Sequence, residues 1–459
     1  MNTLAHDHKD PPGADFSIGG LGTLLNTGLH AVRGGWAHWR RNRRWARATL
    51  RNLKAGILTP PPPPLVQILP TERCNLRCKM CNQWGLNGIY LGGRQPAELD
   101  PAVLGRVLGE LSASDPVVNI HGGEPFAYSA IEELMTMLAA HPLDVLFTTN
   151  GTLVGPHAEA LSKLRRAAFL ISVDGPEASH DKIRGAGAFR AMEDGVRALV
   201  KSARQRSGRR PLMLMNCTVS EFTSPEHIEG TYQVARRLGF LYVNFTLRWF
   251  VTEAAGHAFD AQLARDFGVT APSRTWKGFL GDVGRVPADE IATALSRVLR
   301  HNRHPLPPFV RVTPRLPRVD AANVRRYFED YQHTFGRKRC LYPFYAPRIH
   351  ANGDVVYCWG FRDPIVGNVN HATLAQACAS PTADHLRRVC LDGLLPVCSR
   401  CCGLYLTYPL DPSGSVWKSP ALSTVAGGDY VGRASQSSSS CSSVPIPRSV
   451  LTVASLLSK

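Results

Sequence analysis

Cys74, Cys78 and Cys81 stand in the run TERCNLRCKMC, spaced so that three thiolates can face one metal centre from a single loop. Structural zinc sites and most iron–sulfur clusters take four protein ligands, and no fourth is near in the sequence. A three-cysteine site leaves a coordination position open, through which a metal centre can bind a substrate or cofactor. The plain alternative is a zinc knuckle completed by a distant residue such as His121. A second group, Cys340, Cys358, Cys398, Cys401 and Cys402, lies far downstream, so two separate metal sites are expected. Cys217, Cys378, Cys390 and Cys441 are scattered and read as buried or tail thiols. The N-terminus, MNTLAHDHKDPPGAD, has no basic start followed by an apolar stretch, and in a cytoplasmic chain disulfides are the poorer reading of the twelve cysteines.

The first cluster follows an apolar run, Leu65 to Leu69. Further runs come at Val117 to His121, Val145 to Thr149, Phe169 to Val173, Leu212 to Thr218 and Leu241 to Thr246. Between them the sequence predicts helices. Asp100-Pro101 opens one through Leu111, and Ser224-Pro225 opens another that ends near Gly239. Others fit Ile131 to Ala140, Ala158 to Arg166 and Phe189 to Arg204. Strands that each lead into a crossover helix predict a parallel sheet with helices outside, as an open sheet or a partial barrel. In either fold, functional residues sit at the C-terminal ends of the strands.

Motifs do sit there. The second strand runs into His121-Gly122-Gly123-Glu124-Pro125, the third into TTNGT with Asn150, and the fourth reads ISVDGPEASHDKIRGAGAF. Together with CNLRCKMC, these segments resemble, in order, the CX3CX2C loop, the GGEP motif and the SxDG…H…RG segment of radical S-adenosylmethionine (radical SAM) enzymes. The resemblance covers roughly Leu65 to Thr246 and implies an α/β fold, a partial (β/α)6 TIM-like barrel. It implies a [4Fe–4S] cluster held by Cys74, Cys78 and Cys81, with SAM on the remaining iron. One electron delivered to the sulfonium would then give methionine and a 5′-deoxyadenosyl radical, which removes hydrogen from an unactivated carbon.

By position, the backbone at Gly122-Gly123 and the Glu124 carboxylate would receive the SAM amino group. Ser172 would bond the ribose, and Arg184 would fork onto the SAM carboxylate. Asp174 shapes the turn or adds a polar contact. Asn150 and Asn216 are further candidates, a turn role standing beside cofactor contact for Asn150. The residue before the third cysteine is usually aromatic in the family; here it is Met80, flexible and apolar enough to meet adenine. No side chain is singled out as catalytic.

Cys340 is followed by twelve residues, Gly353, four more residues and Cys358, which resembles the CX9–15GX4C opening of the SPASM extension. Asn352-Gly353, between RIHA and DVVYC, predicts a hairpin. Phe361 to Leu374, FRDPIVGNVNHATL, is similar to the segment between that extension's cysteine groups, and Cys398 and Cys401 supply a close pair. The final CX5CX3C spacing of a full SPASM domain is missing. The resemblance therefore implies one auxiliary [4Fe–4S] cluster, on Cys340, Cys358, Cys398 and Cys401. Cys402 stands as the alternative to Cys401, and a four-cysteine structural zinc site as the alternative to the cluster.

A chain of 459 residues with 44% hydrophobic content exceeds one average domain and excludes wholesale disorder. No apolar run reaches the roughly 20 residues of a membrane span. The formal charge of +17 is unevenly spread. Phe16 to Thr71 holds no acidic residue, while Arg33, Arg40, Arg41, Arg43, Arg44, Arg47, Arg51 and Lys54 crowd among Trp36, Trp39 and Trp45. Such an arm can lie on an anionic membrane, track a nucleic-acid backbone, or pack its Trp side chains on the neighbouring domain. Nothing later looks like a base-reading module, so nucleic acid comes last. The expected organisation is a basic arm and polyproline spacer over 1–64, a core barrel over 65–249, a helical and Pro/Arg-rich bridge over 250–339, a SPASM-like domain over 340–406 and a Ser-rich disordered tail over 407–459.

The expected function is that of a radical SAM enzyme oxidising or rearranging a small-molecule, lipid or other membrane-associated substrate. An electron donor such as flavodoxin or ferredoxin would serve it, in the cytoplasm or peripheral to the inner membrane surface. Many SPASM enzymes modify ribosomally made peptides, often with a winged-helix recognition domain before the barrel. The 64 residues ahead of the first strand do not read as one, so a peptide substrate is the alternative. A non-catalytic zinc protein that binds nucleic acid is the second alternative, and it leaves the GGEP and SVDG segments without a role.

Overall fold

The computed structural model describes residues 35–406, apart from 92, 94, 209 and 305. The expected tail from 407, with Cys441, lies outside the described residues, as do Arg33 and the side chains of Trp36, Trp39, Arg40 and Arg41.

One sheet of ten strands organises the chain. Seven run parallel in sequence order: β1 (Leu65–Thr71), β2 (Val117–Gly122), β3 (Asp144–Thr149), β4 (Ala167–Ser172), β5 (Leu212–Val219), β6 (Tyr242–Leu247) and β7 (Phe309–Thr313). β1 lies between neighbours on both sides and is buried along its whole length, so it reads as a continuous apolar run. The crossover helices have local causes. Asp100 accepts from the Ala102 and Val103 N–H groups, and Pro101 opens the helix Pro101–Ser112, which buries Leu104, Val107, Leu108 and Leu111. The helix expected through Arg166 stops at Lys163, because Leu164 turns extended to enter β4.

The two faces of the sheet differ. The outer face shares one large core with the helices, including Ile68, Ile120, Phe147, Phe169 and Phe245. On the inner face, Leu146, Ala168, Leu214 and Tyr242 form a separate apolar plug near the strands' N-terminal ends. Above it the same face turns polar. Thr148 donates to Asn119 at 3.0 Å, Asn244 and Thr246 donate to Asn216 at 2.8 and 2.7 Å, and Thr313 donates to Asn244 at 2.7 Å. The C-terminal end of the sheet is thus the end equipped for a ligand.

The expectation of a bridge without strands over 250–339 is corrected by β7, which pairs with β6 in parallel. FVRVT alternates, but it is short and bounded by Pro308 and Pro314, so the proline-rich run conceals it. The helices Glu253–Phe267, Ala288–Leu299 and Ala321–Glu329 fill the rest of that stretch. At the other edge, β8 (Arg348–Ile349) pairs in parallel with β1. β9 (Asp354–Val356) and β10 (Gly367–Asn368) follow antiparallel. The hairpin turn has Gly353 at φ +87°, its N–H donating to the His350 carbonyl at 2.8 Å. The cysteine-bearing unit therefore extends the barrel's own sheet from the strand that leads into the first cysteine loop.

The helix Gly35–Lys54 packs on this body through Trp45, Thr49 and Leu53, an inward stripe at four-residue spacing. Trp45 meets Tyr345 edge-on at 5.3 Å. Arg43, Arg44, Arg47, Arg51 and Lys54 are exposed. Among the described residues, no helix is long and apolar enough to cross a membrane.

Candidate functional site

The loop after β1 is wound tightly at the C-terminal end of the sheet. Cys81 N–H donates to the Cys78 carbonyl and Gly85 N–H to the Cys81 carbonyl, each at 2.9 Å. Lys79 N–H donates to the Ile183 carbonyl at 3.0 Å and anchors the loop on the helix Glu177–Arg184. The three thiols are half-buried and feel one another's charge. Burial pushes Cys74 up to about 12; the Leu76 N–H opposes this, while Glu124, Cys81 and Cys78 add to it. Burial likewise pushes Cys78 up to about 11, against the Arg184 guanidinium. Donors surround the sulfurs. Leu76 N–H is 3.5 Å from Cys74 Sγ, the Gln83 and Trp84 N–H groups are 3.4 and 3.5 Å from Cys81 Sγ, and Arg184 Nη1 is 3.7 Å from Cys78 Sγ. Such donors stabilise thiolates and tune a cluster bound to them.

The loop itself demands the two glycines. A Cβ on Gly122 would lie 2.4 Å from the Thr71 carbonyl oxygen, and one on Gly123 2.0 Å from that of Arg73. The N–H groups of Gly123 and Glu124 donate to those carbonyls at 3.0 and 2.7 Å. The close approach expected for SAM is therefore used first by the root of the cysteine loop. Glu124 is buried and accepts from Thr149 Oγ1 at 2.6 Å, Asn150 N–H at 2.7 Å and Phe126 N–H at 3.4 Å. Burial raises its carboxyl to about 7 despite these bonds.

Asn150 makes the turn and a tether at once. Its Oδ1 accepts from Thr152 N–H at 2.9 Å, and its Nδ2 donates to Asn75 Oδ1 in the cysteine loop at 2.9 Å. Asp174 is buried and accepts from Arg184 Nε and Thr218 N–H, both at 2.7 Å. Its own N–H donates to His180 Nδ1 at 3.2 Å, which gives the histidine of that segment a structural role. Glu124, Asn150, Asp174 and Arg184 thus gather round the three thiols. Met80 is half-buried within the loop. Ser172 pairs in register with Asn216 on the inner face, and Asn216 is bound to β6 rather than to the loop.

His121 Nε2 lies 3.1 Å from Gln67 Oε1 on β1. Among the described residues, no three His, Cys, Asp or Glu side chains close around a single ion. A cubane distributes its thiolates over separate irons and needs them wider apart than the ligands of one zinc. The donor set fits a cluster.

In the second group, Cys340, Cys398 and Cys401 are buried and Cys358 half-buried. Burial, then Cys340, pushes Cys358 up to about 12. Cys398 and Cys401 are raised further by burial, with Cys340 and Cys358 adding in both cases. These four sulfurs crowd one another. Burial raises Cys402 to about 11, against Arg311, and its charge in turn adds to the rise at Cys401. Cys390 is a buried thiol, as expected, and it sits beside this group. It lies on the helix Pro381–Asp392, its carbonyl accepts from Cys340 N–H at 3.0 Å, and its thiol is pushed up by the Cys340 thiol, by burial and by Cys398 and Cys358. Its sequence neighbours show only an ordinary amphipathic helix, so the fold alone reveals it.

The family profile of the radical SAM superfamily matches residues 68–232. Residues 68–232 form a radical SAM domain. A second profile, that of the SPASM iron–sulfur cluster-binding domain, matches residues 340–402. The mycofactocin maturase MftC of Mycolicibacterium smegmatis is 36% identical over 134 residues, 28% of this chain and 31% of that protein. The AdoMet-dependent heme synthase of Methanosarcina barkeri is 31% identical over 175 residues, 37% of this chain and 46% of that protein. The matches span less than half the length of these relatives. The crystal structure of Streptococcus suis SuiB bound to the precursor peptide SuiA shares the fold, with a TM-score of 0.53 at 14% identity over 84% of this chain and 80% of that one. Radical SAM and SPASM domains together imply SAM, a [4Fe–4S] cluster and auxiliary iron–sulfur binding, which the soft, amide-surrounded thiols suit.

Proposed function

We propose that this chain is a radical SAM enzyme that oxidises or rearranges its substrate through hydrogen-atom abstraction. The observation that carries the reading is the single loop after β1, which turns three thiols towards one another amid N–H donors and the Arg184 guanidinium. In this reading Cys74, Cys78 and Cys81 hold a [4Fe–4S] cluster, and Cys340, Cys358, Cys398 and Cys401 hold one auxiliary cluster. The bound cofactors supply one-electron reduction of SAM and a 5′-deoxyadenosyl radical.

The chain's own residues bind and orient. Glu124 offers a carboxylate for the SAM ammonium, backed by Thr149 and the Asn150 N–H. Ser172 offers its hydroxyl to the ribose and Met80 an apolar surface to adenine. Arg184 has its Nε committed to Asp174, which leaves its Nη atoms to face Cys78 and a carboxylate bound beside it. Asn150 and Asn216 hold the rim through Asn75 and Asn244. The apolar plug on the inner face closes the barrel below and helps exclude water.

Similarity to a maturase favours a substrate matured after its synthesis, a peptide first of all, while similarity to a heme synthase favours a small molecule. A low-potential donor such as flavodoxin or ferredoxin would supply the electron. The exposed basic side of the helix Gly35–Lys54 supports peripheral contact with an anionic membrane surface.

Anaerobic reconstitution tests the reading. The protein should bind about eight irons in two clusters, falling to about four when Cys74, Cys78 and Cys81 are all replaced by Ala. With a strong reductant and SAM, the wild-type protein should form 5′-deoxyadenosine slowly. Stoichiometric zinc in place of iron would end the reading.

A further inference from the structure

Arg348 stands between the two cysteine regions. It lies on β8, in register with Gln67 on β1, and is only 6% exposed. Its Nη2 donates to Gln67 Oε1 at 2.7 Å, and the same oxygen receives His121 Nε2 at 3.1 Å. Gln67 Nε2 in turn donates to the Tyr342 hydroxyl. One side of the guanidinium thus reaches the barrel's inner wall. Its carbon is also 5.4 Å from the ring centre of Trp359, the residue after Cys358.

Its charge is poorly answered. Arg184, Arg248, Arg362 and Arg387 are also buried, and each holds a carboxylate, Asp174, Glu221, Glu72 and Asp384, while buried Arg400 is answered by a ring of five backbone carbonyls. Among the described residues Arg348 has no carboxylate partner, and its Nε has no hydrogen-bond partner. The groups that could carry negative charge near it are Tyr342, Cys401 and Cys358. Burial brings it down only to about 10, so it stays a cation at neutral pH. A buried cation left without a counter-charge is costly, and four thiolates on an iron–sulfur cube make a net anion.

We infer that Arg348 is the counter-charge of the auxiliary site, a fixed cation on the barrel side of Cys358 and Cys401 that raises the reduction potential of the cluster bound there. The inference rests on the iron–sulfur reading of that site. Reduction adds one electron to an already anionic group, and a cation held in a low-dielectric interior favours the added charge. Gln67 acts as a positioning residue, since its oxygen takes the Nη2 bond and fixes the direction of the guanidinium.

The test uses full-length protein carrying Cys74→Ala, Cys78→Ala and Cys81→Ala, reconstituted anaerobically so that only the auxiliary cluster remains. The cluster is titrated with a low-potential chemical reductant and followed by electron paramagnetic resonance. Arg348→Met and Arg348→Gln should each lower the reduced-to-oxidised ratio at a fixed potential at least tenfold, a midpoint shift of about 59 mV for a one-electron couple. Arg348→Lys, which keeps the charge, should stay nearer the parent. An unchanged midpoint in either neutral variant overturns the inference while leaving the iron–sulfur reading intact. Absence of iron from the parent protein overturns that reading and this inference together.

Discussion

Arg362 and Glu72 form a buried ion pair that joins the auxiliary cysteine region to the root of the first cysteine loop. Arg362 lies four residues past Cys358, and Glu72 two residues before Cys74. The pair is well supported. Arg362 Nη2 donates to the Tyr90 hydroxyl at 2.7 Å, Glu72 Oε2 accepts from Ala97 N–H at 2.9 Å, and Trp84 Nε1 donates to the Glu72 carbonyl at 2.9 Å. Movement at one cysteine region is therefore resisted by the other.

Breaking this pair from one side should be expensive. Arg362→Met leaves the Glu72 carboxylate buried without its cation and should cost about 3–5 kcal/mol in urea denaturation of the metal-free protein. Adding Glu72→Gln removes the stranded charge, so the double variant should recover much of that loss. A double variant no more stable than Arg362→Met would mean that the arginine acts through packing alone.

Glu124 gives a pH dependence with a definite sign. Burial lifts its carboxyl from the usual 4.5 to about 7. A group raised on folding favours the folded state most below its unfolded value, and that contribution is lost as pH climbs through the folded one. Relative to Glu124→Gln, which cannot ionise, the metal-free wild type should lose on the order of 3 kcal/mol between pH 4.5 and 8. Urea midpoints for both proteins at several pH values check this, and a constant gap between them contradicts it.

How far the sequence could be read depended on whether a signal was local. β1 to β6 are legible because each is an apolar run followed by a helical segment, two of which open at recognisable caps, Asp100 and Ser224. The β8–β9 hairpin is legible because Asn352-Gly353 carries its turn chemistry with it. β7 is not, since FVRVT is short and set among prolines. The first three cysteines share one loop, whereas Cys390 meets Cys340 only after fifty residues of chain have folded back, and its helix gives no sign of it. Arg348 and Gln67 are 281 positions apart, and only strand register makes them neighbours. Arg184 and Asp174 stand ten residues apart in the sequence, and only the packing of the site makes them a buried ion pair.

The auxiliary ligand set can be separated by iron counting. On the background lacking Cys74, Cys78 and Cys81, replacing Cys340, Cys358, Cys398 or Cys401 by Ala should remove most of the remaining four or so irons. Cys402→Ala should retain them, because Cys402 has the Arg311 guanidinium beside it and Cys340, Cys358, Cys398 and Cys401 complete the set. Cys390→Ala should retain them as well, since the four assigned sulfurs complete the cluster without it. Loss of iron from Cys402→Ala together with retention in Cys401→Ala would exchange the two assignments.

The N-terminal helix offers the last test, and the structure narrows it. Trp45 is committed to the core against Tyr345, so its ring is not available to enter a bilayer. What remains outward on the described part of the helix is charge: Arg43, Arg44, Arg47, Arg51 and Lys54. Each basic residue close to an anionic surface contributes about 1 kcal/mol, so several acting together give measurable binding at moderate salt. The full-length protein should sediment with phosphatidylserine-containing vesicles and not with neutral ones. The binding should weaken as salt rises, because the attraction is screened beyond a Debye length of about 8 Å at physiological ionic strength. Arg44→Glu, Arg47→Glu and Arg51→Glu together should abolish it without unfolding the protein, as these side chains lie on the exposed side. Vesicle binding that survives the triple reversal would mean that the contact lies elsewhere on the chain, and no binding at all would leave the basic face as a solvated surface.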